Sequence, residues 1–217
     1  MYLTASGGPL RELTRTQLRH VSRAQVLAHP RWKMGAKITV DSSTLMNKGL
    51  EYLEAQVLFG LSAGQIEVLI HPEAIIHSMV EYVDGVILAQ LSQTDMRIPL
   101  QYALTYPCRL RGFVKPLDFF RLKALHFEKP DVARFPCLAL AYEAARAQGT
   151  LACVMNAANE VAVDAFLRDE LVFTAIARVT ERVMRAHRNS AADTLDTIFA
   201  ADRWARARAL QCIQERK

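Results

Sequence analysis

Apolar and polar positions in the first half of the chain follow patterns that predict strands joined by short helices. Residues 66–70 are apolar except for Glu67, and this run favours a buried strand. Residues 75–82 and 86–91 flank Asp84-Gly85, a dipeptide typical of tight hairpin turns. Residues 2–5 predict a strand that enters a Gly-Gly-Pro turn, and residues 37–40 predict a short strand. Together these elements indicate an α/β or α+β arrangement with a mixed sheet.

Helical periodicity marks two segments of the same half. Residues 14–28 predict one or two short helices, and residues 43–60 predict a longer one. The longer segment carries an apolar stripe at i, i+4, i+7 and i+11, formed by Met46, Leu50, Leu53 and Val57. This stripe is expected to face the core.

The second half is predominantly helical. A helix that begins near residue 136 has a plausible stop at Gly149, and further helices are predicted over residues 156–167, 174–186, 192–200 and 202–214. Thr174 and Asp202 are placed as N-caps. Prolines at 107, 116 and 130 indicate an extended connector between the two halves. The prediction is an α/β (α+β) domain with a mixed sheet over residues 1–105, a connector over 106–131 and a small C-terminal helical bundle over 132–217.

Composition narrows the class of protein. The chain has 217 residues, 51% of them apolar, which suffices for one core with a smaller satellite. It shows no membrane-spanning run and no signal peptide, and its four cysteines are scattered, so we expect reduced thiols and a cytoplasmic protein. The net charge is +5, but acidic residues lie among the basic ones, so we expect no nucleic-acid partner and no membrane partner. An anionic small molecule accounts for the mild positive charge equally well.

The helix predicted from residue 43 carries the strongest candidate chemistry. Ser42 and Ser43 precede its first turn, where unpaired backbone N–H groups favour anions. At 100° per residue, Asn47, Lys48 and Glu51 fall on one polar face. This arrangement suits a phosphorylated, polyhydroxylated molecule with a divalent metal beside it. A capped surface helix with a Lys–Glu pair accounts for the same spacing.

Other polar segments are ambiguous. Residues 29–35 place Trp32 and Met34 among turn and basic residues, which is typical either of a flap over a ligand or of a Trp-anchored surface loop. His71 and His77 are interpreted as hydrogen-bonded structural histidines. Residues 156–160 are interpreted as the capped start of a helix.

The ordered motifs resemble one family from end to end. They are Thr4-Ala-Ser-Gly-Gly-Pro9, His29-Pro-x-Trp32-x-Met-Gly35, Lys37-Ile-x-Val-Asp41-Ser-x-Thr-x-Met-Asn47-Lys-Gly-Leu-Glu51, Glu67-Val-Leu-Ile-His71-Pro72, Ile76-His-Ser-Met79, Asp95-Met-Arg97, Lys115-Pro-Leu-Asp-Phe119, Asn156-Ala-Ala-Asn-Glu160 and Ala201-Asp-x-Trp204-Ala. The chain is similar to 1-deoxy-D-xylulose 5-phosphate reductoisomerases, the NADPH-dependent enzymes of non-mevalonate isoprenoid biosynthesis. The resemblance implies that residues 1–105 form a catalytic, substrate-binding domain of a bacterial cytoplasmic enzyme.

The resemblance also implies roles for individual residues. It assigns substrate binding to Ser6, His29, Ser42, Asn47 and Lys48, with Trp32 and Met34 in a flap over the substrate. Glu51 would contact both the substrate and a divalent Mg²⁺ or Mn²⁺ ion, as a catalytic residue. Gly35 and Met96 would contact NADPH. A homodimer is a further expectation from the family.

The chain departs from the family pattern at its beginning. Members start with a dinucleotide-binding Rossmann domain, but this sequence contains no Gly-x-Gly-x-x-Gly. Of three family metal carboxylates only Glu51 remains, so we expect the 217 residues alone to be inactive and to need a full-length context or a separately encoded N-terminal domain. A truncated, non-catalytic sugar-phosphate-binding module is the alternative. We also expect the strand at residues 2–5 to lack partner strands, and the isolated chain to be poorly soluble.

Overall fold

The computed structural model describes residues 1–28 and 35–215. Its main elements are, in chain order, β1 (Tyr2–Ala5), α1 (Arg15–Leu18), α2 (Arg23–Leu27), α3 (Ala36–Thr44), α4 (Met46–Phe59), β2 (Glu67–Ile70), β3 (Ile76–Glu81), β4 (Ile87–Leu91), α5 (Arg97–Thr105), α6 (Pro136–Ala147), α7 (Leu151–Leu167), α8 (Phe173–Ala186) and α9 (Leu195–Gln214). They group into two compact units, residues 1–6 with 67–129 and residues 7–66 with 130–217. The predicted domain boundaries at 105 and 131 differ from this grouping and stay a prediction. None of the helices so described has the length and apolar content needed to span a membrane.

The first unit is built on a four-stranded sheet in the order β2-β1-β3-β4. β1 runs parallel to β2 and antiparallel to β3, which confirms the mixed sheet and the α+β class. The expectation that residues 2–5 lack partner strands was wrong. β1 is a central strand whose backbone groups pair on both sides, so it presents no open edge.

The hairpin of the first unit forms as predicted. β3 and β4 pair antiparallel, and Gly85 takes φ +84° in the turn, a conformation that favours glycine. Asp84 supports the turn because its carboxylate accepts the backbone N–H of Val86 at 3.0 Å. The segment from 106 to 129 contains no named helix or strand, and Glu128 joins it to the sheet through paired backbone hydrogen bonds with Ile70, each 2.9 Å.

The second unit differs from prediction at residues 37–40, which are helical and lie in α3. Their β-branched side chains favour a strand locally. Gly35 instead starts a helix, where its carbonyl accepts the N–H and hydroxyl of Thr39 at 3.1 and 2.9 Å. Val40 and Asp41 are buried one turn from Lys37, and this helical spacing lets Lys37 pair with Asp41.

The helix predicted from residue 43 begins instead at Met46, because Leu45 adopts a left-handed conformation (φ +62°) and separates α3 from α4. Its predicted apolar stripe was also wrong beyond Met46. The buried positions of α4 are Met46, Gly49, Tyr52 and Ala55, whereas Val57 is 81% exposed. Gly49 and Ala55 on this face are small, which allows α6 to approach closely. The buried face of α4 is therefore set by its small residues and not by its large apolar side chains.

The second half of the chain contains the helices α6–α9, whose boundaries differ from several of the predicted ones. Gly149 follows the end of α6 with φ +61°, as expected for a helix stop. Residues 156–160 lie inside α7 and do not open a helix. Residues 195–214 form one helix, in which Asp202 accepts a hydrogen bond from Arg206 four residues later and caps nothing. Thr174 follows the first residue of α8, so it is not the N-cap either.

Candidate functional site

The polar face of α4 brings three predicted site residues together. Asn47 donates its side-chain N–H to Glu51 Oε1 at 2.7 Å, and the Lys48 ammonium group pairs with Glu51 Oε2. The Lys48 side chain is 11% exposed and that of Glu51 is 39% exposed. An amide, an ammonium group and a carboxylate are therefore held in one cluster, termed here the α4 cluster (Asn47, Lys48 and Glu51), half in contact with solvent.

The two serines before this cluster do not precede a helix start, as the sequence had indicated. Ser42 and Ser43 lie in the last turn of α3. The hydroxyl group of Ser43 is buried and donates to backbone carbonyls of Val26 and Thr39, at 3.1 and 2.9 Å. Ser43 therefore holds α2 against α3, while Ser42 is half-buried. The predicted position of these serines, immediately before the first turn of a helix, was therefore wrong, because the next helix begins at Met46.

The Gly7-Gly8 turn packs directly against this corner. Gly8 has φ +70°, and a Cβ atom there would lie 3.0 Å from the carbonyl oxygen of Ser42 and 3.1 Å from the Cα atom of Ser43. Only glycine fits both the conformation and the space. Ser6, which immediately precedes this turn in the sequence, is half-buried at the end of the first unit.

A buried carboxylate anchors α3 behind the α4 cluster. Asp41 is 1% exposed, and it accepts the Asn159 side-chain N–H at 2.8 Å and pairs with Lys37 Nζ at 2.7 Å. Asn159 is fully buried in α7. Sequence reasoning missed this role, because Asn159 had been interpreted as part of a helix cap. The signal available was the unusual density of amides in the Asn156–Glu160 motif.

A second ion-pair cluster ties α7 to α9. Arg206 bonds Asp202 through Nε at 2.8 Å and Glu160 through Nη2 at 2.6 Å. These hydrogen bonds with Asp202 and Glu160 raise the pKa of Arg206. Glu160 and Asp202 both belong to motifs singled out from the sequence. In the structure they bind Arg206 and so connect α7 to α9.

The other residues that the sequence predicted for the site do not lie in the α4 cluster. His29, Trp32 and Met34 lie outside the described residues. Gly35 is the N-cap of α3, and apart from its chain neighbours no atom of the described residues lies within 4 Å of the position that a Cβ atom would take there. Met96 is 55% exposed in the first unit, beside Asp95, whose pKa is lowered to about 2 by hydrogen bonds from Arg97.

The described residues do not form a complete metal site. No group of three or more His, Cys, Asp or Glu side chains within residues 1–28 and 35–215 is placed to hold an ion. Glu51 offers one carboxylate, already bonded to the Lys48 ammonium group, whereas Mg²⁺ requires about six oxygen ligands. His71 and His77 are both hydrogen-bonded to the protein. The buried His71 accepts the N–H of Ile75 at Nε2, which leaves Nδ1 to donate to the carbonyl of His126.

Comparison with protein-family models defines the class of protein to which the chain belongs. Two family models match the chain, the DXP reductoisomerase C-terminal domain over residues 91–208 and the 1-deoxy-D-xylulose 5-phosphate reductoisomerase C-terminal domain over residues 1–59. The fold and the polar α4 helix are thus those of the C-terminal region of a reductoisomerase. The chain belongs to the 1-deoxy-D-xylulose 5-phosphate reductoisomerase family.

Individual relatives match nearly the whole of this chain but only about half of their own length. The reductoisomerase of Endomicrobium trichonymphae is 53% identical over 98% of this chain and 55% of its own length, and that of Cupriavidus pinatubonensis is 54% identical over 98% and 54%. Among solved structures, a DOX-P reductoisomerase in complex with NADPH, fosmidomycin and magnesium matches 98% of this chain and 54% of its own with a TM-score of 0.93 and 40% identity. The Zymomonas mobilis enzyme in complex with NADPH matches 98% and 55% with a TM-score of 0.91 and 42% identity. The chain therefore spans about half the length of the relatives it matches.

Proposed function

We propose that this chain is the substrate-binding portion of a 1-deoxy-D-xylulose 5-phosphate reductoisomerase. The complete enzyme would convert 1-deoxy-D-xylulose 5-phosphate and NADPH into 2-C-methyl-D-erythritol 4-phosphate in bacterial isoprenoid biosynthesis. The single observation that supports this most is the α4 cluster, in which Asn47 and Lys48 are held by Glu51 within a chain about half identical to such enzymes.

The α4 cluster has the chemistry needed for a sugar phosphate. Lys48 supplies a compact positive charge, and its low exposure strengthens attraction to a phosphate dianion relative to a fully solvated ammonium group. Asn47 offers both amide donors and a carbonyl acceptor for hydroxyl groups. Glu51 fixes the positions of both, so little side-chain freedom is lost when a substrate binds. Ser6, Ser42 and His29 complete the proposed phosphate contacts, and Trp32 and Met34 the proposed flap.

Cofactor and metal binding are proposed to depend on polypeptide beyond these residues. Gly35 and Met96 would each contribute a contact to NADPH, and Glu51 one oxygen ligand to magnesium or manganese. The other ligands would come from the part of the enzyme that this chain does not span, in the same polypeptide or in a separate one. When bound, the ion would polarise substrate oxygens and NADPH would supply hydride.

A homodimer is proposed to form through the first unit. This unit exposes large apolar side chains, with Val83, Leu104, Phe113 and Phe120 each more than 85% exposed. Burial of such groups is the main driving force for association. Light scattering of the protein in solution would show a mass twice that of the chain, and a monomer at high concentration would contradict this.

The experiment that tests the function fuses the N-terminal segment of the Endomicrobium trichonymphae relative to this chain. We expect the fusion to consume NADPH when 1-deoxy-D-xylulose 5-phosphate and Mg²⁺ are added, and the chain alone to bind the substrate without consuming NADPH. Lys48→Gln should weaken substrate binding about tenfold or more, because one charge-assisted hydrogen bond is worth about 1.5–3 kcal/mol. Lys129→Gln, an exposed lysine of the first unit, is the matched control.

The outcomes separate the possibilities. Binding without activity in the fusion would favour a non-catalytic sugar-phosphate-binding module. Absence of binding in both the chain and the fusion would contradict the proposal in either form.

A further inference from the structure

Among the residues that the structure describes, arginine is the only charged type in the lining of a cavity of about 690 Å³ in the second unit. Four arginines line it, namely Arg15 and Arg19 from the α1 region, Arg134 before α6 and Arg178 from α8. Within residues 1–28 and 35–215, its lining includes no aspartate, no glutamate and no residue of the α4 cluster. The lining of the cavity is therefore rich in basic side chains and shares no residue with the α4 cluster.

Two of these arginines are held by the protein. Arg134 donates through Nη1 to two backbone carbonyls of the segment before α1, both at 2.9 Å, and pairs with Asp131 at 2.7 Å. Hydrogen bonds from the backbone N–H and the guanidinium group of Arg134 lower the pKa of Asp131. Arg15 donates to the carbonyl of Ala133 at 3.0 Å. Both groups are fixed in position at the cavity wall while they keep their positive charge.

The other two arginines have no such partner within the part of the chain that is described. Arg19 and Arg178 are exposed, and neither side chain makes a hydrogen bond or ion pair with residues 1–28 or 35–215. Bringing cationic groups to one cavity is unfavourable unless an anion compensates them. Their guanidinium groups have the donor geometry that binds phosphate in a bidentate manner.

The rest of the lining is apolar. Leu18, Phe135 and Phe173 are buried side chains at the cavity surface. The hydroxyl group of Thr174 adds a polar group at the start of α8, which no side chain caps. A volume of about 690 Å³ lies within the range of about 300–1,000 Å³ that holds small ligands. Cationic donors above an apolar floor match a ligand with an anionic head and an apolar body.

We propose that this cavity binds an organic phosphate, a small molecule that carries a phosphate group on an apolar body. Arg19 and Arg178 bind the phosphate oxygens, Arg15 and Arg134 supply fixed positive charge, and the apolar floor contacts the body of the ligand. Such a ligand differs in kind from a polyhydroxylated sugar phosphate, which has no apolar body to bury.

The test uses the whole 217-residue chain and phenyl phosphate as the probe, with binding measured by calorimetry. The double variant Arg19→Gln/Arg178→Gln is expected to bind phenyl phosphate at least tenfold more weakly, since it removes both arginines that are proposed to donate charge-assisted hydrogen bonds to the phosphate group. The control Arg188→Gln/Arg203→Gln removes the same net charge from two exposed arginines outside the cavity. It should change the affinity by no more than about twofold, because distant surface charges are screened.

Three further arms identify the ligand class and the site. Inorganic phosphate and phenol should each bind at least tenfold more weakly than phenyl phosphate, since each has only half of the proposed chemistry. Lys48→Gln should leave phenyl phosphate binding unchanged. The proposal is overturned if phenyl phosphate does not bind, if Lys48→Gln abolishes its binding, or if the cavity variant binds it as well as the control does. Equal affinity for inorganic phosphate would likewise overturn the apolar-body assignment.

Discussion

A methyl group added at Gly49 should destabilise this protein, although alanine forms helices better than glycine. Gly49 lies on the buried face of α4, and a Cβ atom there would be only 2.6 Å from the Cβ atom of Ala141 in α6. Carbon atoms pack at about 3.5–4.0 Å, so the two helices must separate by roughly 1 Å. The opposite face of α4 carries Lys48 and Glu51, which would move with it.

The size of this destabilisation is the difference between two opposing effects on the free energy of unfolding. Alanine is favoured over glycine inside a helix by about 1 kcal/mol. Overpacking of a tight core costs about 1–3 kcal/mol, and it also strains neighbouring contacts such as the edge-to-face pair of Tyr52 and Tyr142, whose ring centroids are 4.8 Å apart. A contact of 2.6 Å belongs at the upper end of that cost, about 2–3 kcal/mol, so we expect Gly49→Ala to lower the free energy of unfolding by about 1–2 kcal/mol net.

A double-mutant cycle measured by urea unfolding tests this account. Ala141→Gly removes the methyl group that Gly49→Ala would strike, so the double variant should recover about 1–2 kcal/mol relative to the sum of the single changes. Gly64→Ala is the control, because no atom lies within 4 Å of a Cβ at that position. The reasoning would be refuted if Gly49→Ala were as stable as the parent chain, or if the two changes were strictly additive.

Two further predictions concern buried and paired carboxylates. Asn159→Ala removes the amide that donates to the buried carboxylate of Asp41, and it should cost about 2–3 kcal/mol in urea unfolding, whereas the half-buried Asn156→Ala should cost less than about 1 kcal/mol. For Glu73, burial favours the neutral carboxyl group, but hydrogen bonds from the ring and backbone N–H groups of His126 outweigh it and lower the pKa of Glu73 to about 2. Glu73→Gln should therefore lose about 1–2 kcal/mol above the unfolded-state pKa of about 4.3, and the difference should shrink as pH falls toward about 2. Stability curves that stay parallel over this pH range would contradict the assignment.

Local patterns predicted the elements that local chemistry determines. The β3–β4 hairpin was predictable because Asp84 and Gly85 together specify its turn. The shared face of Asn47, Lys48 and Glu51 was predictable because helical spacing alone places them together. Neither prediction depends on residues distant in the sequence.

The errors arose where distant residues decide the structure. The segment from 37 to 40 has the composition of a strand, yet it is helical, and Asp41 beside it is bound by Asn159 from a segment 118 residues away in the sequence. The buried face of α4 includes Gly49 because Ala141 packs against it. This contact cannot be predicted from the sequence of α4 alone. Burial was therefore assigned to the larger Leu50, Leu53 and Val57.

These distant contacts all converge on the short segment that carries the candidate site. Gly8 packs on the backbone of Ser42, Asn159 binds Asp41, and Ala141 meets Gly49. The three contacts surround residues 41–51, and two of them come from the C-terminal bundle. A helix of 14 residues is only marginally stable alone, so α4 requires such packing to hold its polar face in place. The bundle therefore fixes the position of the helix from which Asn47, Lys48 and Glu51 project, and this is how it would support the substrate binding proposed above.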